Sequence, residues 1–533
     1  MKFNKLFAIL RETSVSTYDR CGISLLVLTL LSIWAQWSVS PIPLTATPPD
    51  IVIPLDAGWR VLSGQVPHND FYTGLGPAFS YLYAIGVWFF GPTISAIVST
   101  NLMMMVFTTL LAWLVSRPRL SPFLVLLFSA TVMMTSSGVE PLGWGVDATD
   151  YAMSYNRYAF GILMCVCLGS FFPARGRIST IADGAEDVLM GALVSFLLLL
   201  KINFFVIAAA AIAIKPLFVD FSFKRSAWVC LGLLLPVFFF WLVLGVSPAA
   251  FLNDMSLMYK VAMEDRPPFL KSIGDLILNL TIPFSIALLV IAATGLICFI
   301  SRKRAFPELA QSFAAVSFLL AADLALGISN TQGAILVFLP LISLIALREL
   351  LIVDSLARSW GPSVVVIFTL FLSASTVIRE TSYTAHAFWS KYSVNPADVE
   401  AQRFNSPYLE NIYVPSGINQ LSNYPLVVND GLRLLKKHIV PGNKLVTLSY
   451  SNPFDFLLGL QPASGGSLCW HEGGTLTYSN HPQADRVFSN ADLIVVDKQL
   501  GGLFWPTYGD YINKRFVLVE KSDYWILLKR FSP

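Results

Sequence analysis

The chain has 533 residues, of which 55% are hydrophobic and only 13% charged, with a mean hydropathy of +0.64. Soluble domains carry about 25% charged residues, so this composition excludes an ordinary soluble globular protein and points to lipid as the solvent. A net charge of +3 with no clustered basic face excludes nucleic acid as a partner.

Residues 1–20 are polar and amphipathic, with no small-residue cleavage site beyond them, so the apolar run 22–40 reads as an uncleaved first span. A span needs about 20 apolar residues. Further candidates are 93–115, 120–138, 157–173, 186–201, 203–219, 227–246, 273–300, 308–328, 331–347 and 361–378, which makes about eleven. The tight turn at Lys201-Ile202-Asn203 divides two of them. The basic clusters Lys2/Lys5/Arg11/Arg20, Arg117/Arg119, Arg175/Arg177, Lys224/Arg225, Arg302/Lys303/Arg304 and Arg348/Arg358 then all fall on the side of the N-terminus. That agreement sets an inner face. It also keeps the apolar run 81–90 from being a span, because counting it would move Arg117 and Arg119 outside. That run reads as an amphipathic interfacial helix, with Pro77 in its first turn and Gly91-Pro92 as its stop.

Three outer loops, 41–76, 139–156 and 247–272, are long. From Arg379 onward the chain turns polar. Strand-like runs at 445–450, 493–496, 516–520 and 525–528 and a helical stretch at 431–439 describe a small α/β domain on the outer side. The expected organisation is a transmembrane domain over 1–378 and an extracytoplasmic α/β domain over 379–533. No internal repeat is visible. Of six cysteines only Cys469 lies in the polar tail, and no disulfide framework is suggested.

Acids gather in the outer loops. Loop one holds Asp50, Asp56, Arg60, His68 and Asp70, and loop two holds Glu140, Asp147, Asp150 and Arg157. Solvated charge explains most loop acids. Asp56 stands apart because it interrupts an apolar stretch, IVIPLDAGW, expected to press against the membrane. Desolvation there raises a carboxylate's pKa and suits a proton acceptor. Lys201 interrupts an apolar run at the outer end of two spans; it either grips an anionic group or snorkels to the interface. Arg266 lies between acids in EDRPP and reads first as a local ion pair. Trp470 and Tyr450 in the tail could stack on a sugar, and Asp323 is an acid within a span.

The order Asp56-Ala57, Gly64-Gln-Val-Pro67, Asp70-Phe71, Gly76-Pro77, then an aromatic helix ending in Phe90-Gly91-Pro92, resembles the C-fold (GT-C) glycosyltransferases, the group of protein O-mannosyltransferases and lipid A aminoarabinose transferases. The resemblance implies an inverting transferase that takes a sugar from a polyprenyl-phosphate carrier on the outer face of the membrane and passes it to a glycan, lipid or protein acceptor. The compact chain, the outer-facing tail and the short inner loops point to a bacterial inner (plasma) membrane with the tail in the periplasm, to which the endoplasmic reticulum is topologically equivalent. Asp56 matches the family's first-loop catalytic acid. Relatives often have Asp-Glu there and Glu-Lys before the later proline; this chain has Asp-Ala, and Leu75-Gly76. Asp70 is the candidate replacement for the missing acid. Lys201, Arg157, Arg60, Arg266 and His68 are the candidates for phosphate or substrate binding. Asp147 and Asp150 have a spacing that could hold a divalent cation such as Mg or Mn through oxygen ligands. A lipid or sugar transporter and a non-catalytic scaffold with an outer binding domain stand as rivals; a transporter commonly shows repeats and interrupted helices meeting at the midplane.

Overall fold

The computed structural model describes residues 14–39, 42–142, 149, 151, 153–172, 174, 180–217, 222–265, 306–330, 403–415 and 423–531, with scattered positions between 337 and 389. The expected span 273–300 lies outside the described residues, as do all but one residue of 361–378, more than half of 331–347, and Asp147, Asp150 and Arg266.

The membrane part is helical. Helix α1 covers Val15–Trp37, α4 Ile94–Ser116, α5 Pro122–Ser137 and α6 Ser154–Phe171. Helix α7 covers Thr180–Leu200, α8 Ile202–Ile214, α9 Phe223–Phe238 and α11 Phe306–Asn330. Among the described residues four helices are long and apolar enough to cross a membrane: Val15–Trp37, Ile94–Ser116, Phe223–Val243 and Gln311–Ser329. The first and third of these leave most of their apolar side chains uncovered by protein, such as Leu26, Trp34, Leu242 and Val243, which is the surface lipid would cover. Glycines allow one close crossing. A Cβ on Gly191 would stand 2.1 Å from the Val229 carbonyl, and one on Gly232 2.0 Å from that of Val188, so α7 and α9 touch backbone to backbone.

The two ends of the bundle differ in chemistry. At one end Arg119 pairs with Glu186 and donates to the Phe172 carbonyl at 2.7 Å, while Lys215 and Arg225 both hold Asp187, at 3.1 and 2.8 Å. Arg117 lies over the Tyr18 ring there, near the N-terminus. Arg117, Arg119 and Arg225 thus lie at the end of the bundle that carries the start of α1. The opposite end carries loop one. In it a 3-10 turn, Pro48–Ile51, leads into α2, Val52–Leu62, and a second short helix, α3, covers Pro77–Phe90. Gly76 caps α3 ahead of Pro77, and Gly91, at φ +67°, ends it in a conformation that glycine adopts without strain. The region 247–272, expected as a loop, is mostly helix: α10 spans Pro248–Asp265.

The C-terminal part of the chain contains a four-stranded sheet, with β3 Leu445–Leu448, β4 Leu493–Asp497, β5 Phe516–Lys521 and β6 Trp525–Arg530 in the order β3-β4-β6-β5. The β3/β4 pair is parallel and the others are antiparallel. Alternation sends Leu445, Leu493, Val495 and Leu527 to a face continuous with the core of the helical bundle. Val446, Ile494, Val496 and Leu528 face a separate core under α15, Gly501–Arg515. The first face also packs α12, Tyr424–His438, whose Val427 carbonyl accepts from the Trp525 indole at 2.8 Å. One more tie joins loop one to the C-terminal part: β1, Ile42–Pro43, pairs in parallel with β2, Ile412–Tyr413. The domain is therefore packed onto loop one.

Candidate active site

Helix α2 carries the acid singled out by sequence. Its apolar residues Val52 and Leu55 are fully buried in the bundle core, and Asp56 is buried with them at 0% exposure. The stretch therefore presses against protein, and the expectation that it lies against lipid is corrected. Burial without a partner would be prohibitive for a carboxylate. Arg60, one turn on, supplies the partner: its Nε donates to Asp56 Oδ2 at 2.9 Å. A second acid from the other half of the chain shares the same guanidinium. Asp455, in the short helix Phe454–Leu457 (α13), approaches Arg60 Nη2 at 3.6 Å and accepts from the Asn452 amide at 2.7 Å. Arg60 Nη1 donates to Gln65 and to the Ala463 carbonyl, and its guanidinium lies 5.4 Å from the Phe71 ring. Two buried carboxylates with one guanidinium leave one negative charge in excess. Burial raises the proton affinity of Asp56, against the pull of Arg60. Burial, with Asp56 adding to it, pushes Asp455 up to about 7. One oxygen of each, Oδ1, is buried with no hydrogen-bond partner among the described residues.

A second carboxylate, Asp50, sits in the turn before α2 and is only half-buried. Thr47 Oγ1 donates to its Oδ2 at 2.9 Å, and the Tyr450 hydroxyl, from the C-terminal domain, donates to its Oδ1 at 2.7 Å. Burial raises its pKa, while those two bonds and the nearby His471 pull it down. Tyr450 faces the His471 ring at 5.6 Å. Lys201 is the single extended residue between α7 and α8; its ammonium lies 5.0 Å from the Tyr155 ring centroid and donates to Asn156 Oδ1 at 2.9 Å. Loop one meets that break directly. The Gly76 amide donates to the Leu200 carbonyl at 3.1 Å, and a Cβ at Gly76 would fall 2.0 Å from the Leu199 oxygen.

The other expected site residues serve the loop's own architecture. Asp70 accepts from the Val66 amide at 2.7 Å and closes the 66–70 turn. His68 is fully buried at φ +69°, with Nδ1 3.0 Å from Asp254 of α10, and Arg486 holds both Asp254 and the His68 carbonyl. Arg157 is buried on Glu140 and on the Thr135 and Glu140 carbonyls. Asp323 accepts from the Phe338 amide at 3.1 Å. Trp470 is core, edge-on to Phe504 and Tyr508, so of the two tail aromatics only Tyr450, partly exposed, meets Asp50. Among the described residues no three His, Cys, Asp or Glu side chains gather as a metal site.

The segment 459–486 wraps this region. The Trp59 indole donates to Leu460, Gln65 to Pro462 and the Tyr72 amide to Gly466, while Leu468 returns a bond to Tyr72. On the opposite side, α2 and α3 border an apolar cavity of about 530 Å³ whose walls include Leu62, Tyr81, Trp88, Phe196 and Phe240. Phe240 belongs to the π-helical turn Phe239–Val243 that follows Pro236 in α9.

Two solved structures align with the chain over nearly its whole length. Its recorded likeness is to ArnT. The crystal structure of ArnT from Cupriavidus metallidurans bound to undecaprenyl phosphate shares 13% identity over 96% of this chain and 98% of that one, at a TM-score of 0.37. The apo structure of the same protein shares 12% identity over 95% and 97%, at 0.38. No family model and no curated protein matches the chain.

Proposed function

We propose that this chain is a membrane transferase that moves a sugar from a polyprenyl-phosphate carrier to a hydroxyl of a glycan, lipid or protein acceptor, on the membrane face that carries the C-terminal domain. One observation carries the reading. Helices α2 and α3 stand between an apolar cavity and, on the other side, the buried Asp56–Arg60–Asp455 cluster with the partly open Asp50, Tyr450 and Lys201 beyond it. A ligand that fits both sides at once is amphipathic: a long apolar tail joined through an anionic group to a hydroxyl-rich head.

In the transfer, the acceptor oxygen forms a bond to the anomeric carbon as the bond from that carbon to the phosphate oxygen breaks. The acceptor proton passes to a carboxylate of loop one, and the polyprenyl phosphate leaves as an anion. Asp56 is the acid assigned to the proton: burial raises its affinity, and Arg60 holds its position. Segment 455–463 covers it, so this role requires that segment to lift. Lys201, at the α7/α8 break, is the cation assigned to the leaving phosphate, supported by its position between two apolar helices. Purified wild-type and Asp56→Asn protein, given a panel of polyprenyl-phosphate sugars and candidate acceptors, test the reading. Wild type should consume one donor, and the variant should be slower by about 10²-fold or more while keeping its melting temperature within a few degrees. An equal rate in the variant removes the role of Asp56. No consumption by wild type across donors and acceptors contradicts the transferase reading.

A further inference from the structure

The recess around Asp50 differs from the sealed ion cluster in one respect that matters for ligands. Asp50, Tyr155, Lys201 and Tyr450 all keep part of their surface open, and His471 is exposed, whereas Asp56, Arg60 and Asp455 are all closed off. The recess is assembled from four separate stretches: the turn before α2, the start of α6, the α7/α8 break and the loop after β3. Its parts are a carboxylate, aromatic rings set at angles and an ammonium. Each Asp50 oxygen already accepts one bond and has a further lone pair to offer.

We infer that this recess is the binding subsite for the transferred sugar, with Asp50 accepting from a pair of its hydroxyls and the rings of Tyr450 and Tyr155 packing against its C–H face. The inference rests on the transferase reading and adds to it the substrate class and the residues that read it. A carboxylate accepting from hydroxyls forms charge-assisted bonds, about twice as strong as neutral ones. Aromatic rings contribute large, rigid apolar area at little entropic cost. A site built to bond hydroxyls rejects analogues that lack them, because its polar groups are then left unpaired. The donor is therefore a sugar with adjacent free hydroxyls, and its deoxy analogue at that position binds poorly. Tyr450 and His471 come from the C-terminal domain, so the domain takes part in choosing the sugar. Asp50 also caps its own turn through Thr47, a role that would serve the fold alone; the test has to separate the two.

Equilibrium binding by the full-length protein in lipid nanodiscs does so. The probes are polyprenyl phosphate bare and polyprenyl phosphate carrying each of several hexoses. Wild type should bind at least one sugar-bearing lipid about tenfold or more tighter than the bare one, the worth of one hydrogen bond to a charged group. Asp50→Asn should bring that ratio close to one, and Tyr450→Phe, which keeps the ring but removes the hydroxyl that holds Asp50, should lower it by a smaller factor, both without changing affinity for the bare lipid. Both substitutions keep the shape of the side chain, so the unchanged bare-lipid affinity also reports a folded protein. A ratio that stays at the wild-type value in both variants, or a wild type that shows no preference for any sugar, overturns the sugar subsite and leaves carrier binding standing. Failure of wild type to bind polyprenyl phosphate overturns the transferase reading itself, and the subsite falls with it.

Discussion

Two carboxylate sites bridge the same two halves of the molecule, and they differ in access. Asp56 and Asp455 share Arg60 in a closed seam, while Asp50 and Tyr450 meet at the rim of an open recess. Both pair a residue of loop one with one about 400 positions later. The closed one behaves as a clasp: Arg60 answers both carboxylates, and removing it leaves two buried acids without a cation. The open one spends little on holding the domains together and keeps bonding capacity for a ligand.

Arg60→Met should break the clasp with the largest effect. It leaves two buried carboxylates without their cation, a loss of about 3–5 kcal/mol, read as a drop in the melting temperature of the detergent-solubilised protein. A small effect would mean that the seam is hydrated. Trp470→Ala should cost a similar amount, about 3–5 kcal/mol, because it empties the core under α15. Gly76→Ala should cost about 1–3 kcal/mol by forcing loop one off the Leu199 carbonyl; limited proteolysis of loop one would report it.

The seam also predicts a pH dependence. The folded pKa of Asp455, about 7, lies above its ordinary value near 3.9. The folded chain thus keeps a proton that the unfolded chain has released, so stability falls as pH rises from about 4 to about 7 and levels off above. Melting temperature should be higher at pH 5 than at pH 8. Asp455→Asn should shrink that difference; a steeper slope in the variant would contradict the assignment. The smallest effect is on the open site. Tyr450→Phe should cost only about 1 kcal/mol of stability, the worth of one hydrogen bond, while acting on sugar preference. A loss as large as that of Trp470→Ala would make Tyr450 part of the fold.

Much of the scaffold was legible because hydropathy and punctuation are local. The helix over Pro77–Phe90, its Gly91 stop and the four strands of the tail follow from residues within a few positions of each other. The break at Lys201 was legible too, since a lone ammonium between two apolar runs has few ways to be accommodated. The site was only half legible. Asp56 was marked by its apolar neighbours, but its partner Asp455 lies in an Asn-Pro-Phe-Asp turn whose sequence says only that the chain bends. Asp50 looked like one loop acid among several, and nothing near it in sequence foretells Tyr450. Arg157 and His68 looked available for a substrate; tertiary contacts engage one with Glu140 and place the other against Asp254.

The central claim is that an amphipathic, lipid-linked donor lies across α2 and α3, with its tail in the apolar cavity and its head beside Asp50. The most direct test is photo-crosslinking with a polyprenyl phosphate that carries a diazirine in its tail, followed by peptide mapping. Labelling concentrated on Leu62, the Tyr81–Trp88 stretch and Phe239–Leu244, and competed away by unlabelled polyprenyl phosphate, is the predicted result. Labelling spread evenly over lipid-facing α1 and α9, with no competition, would contradict it.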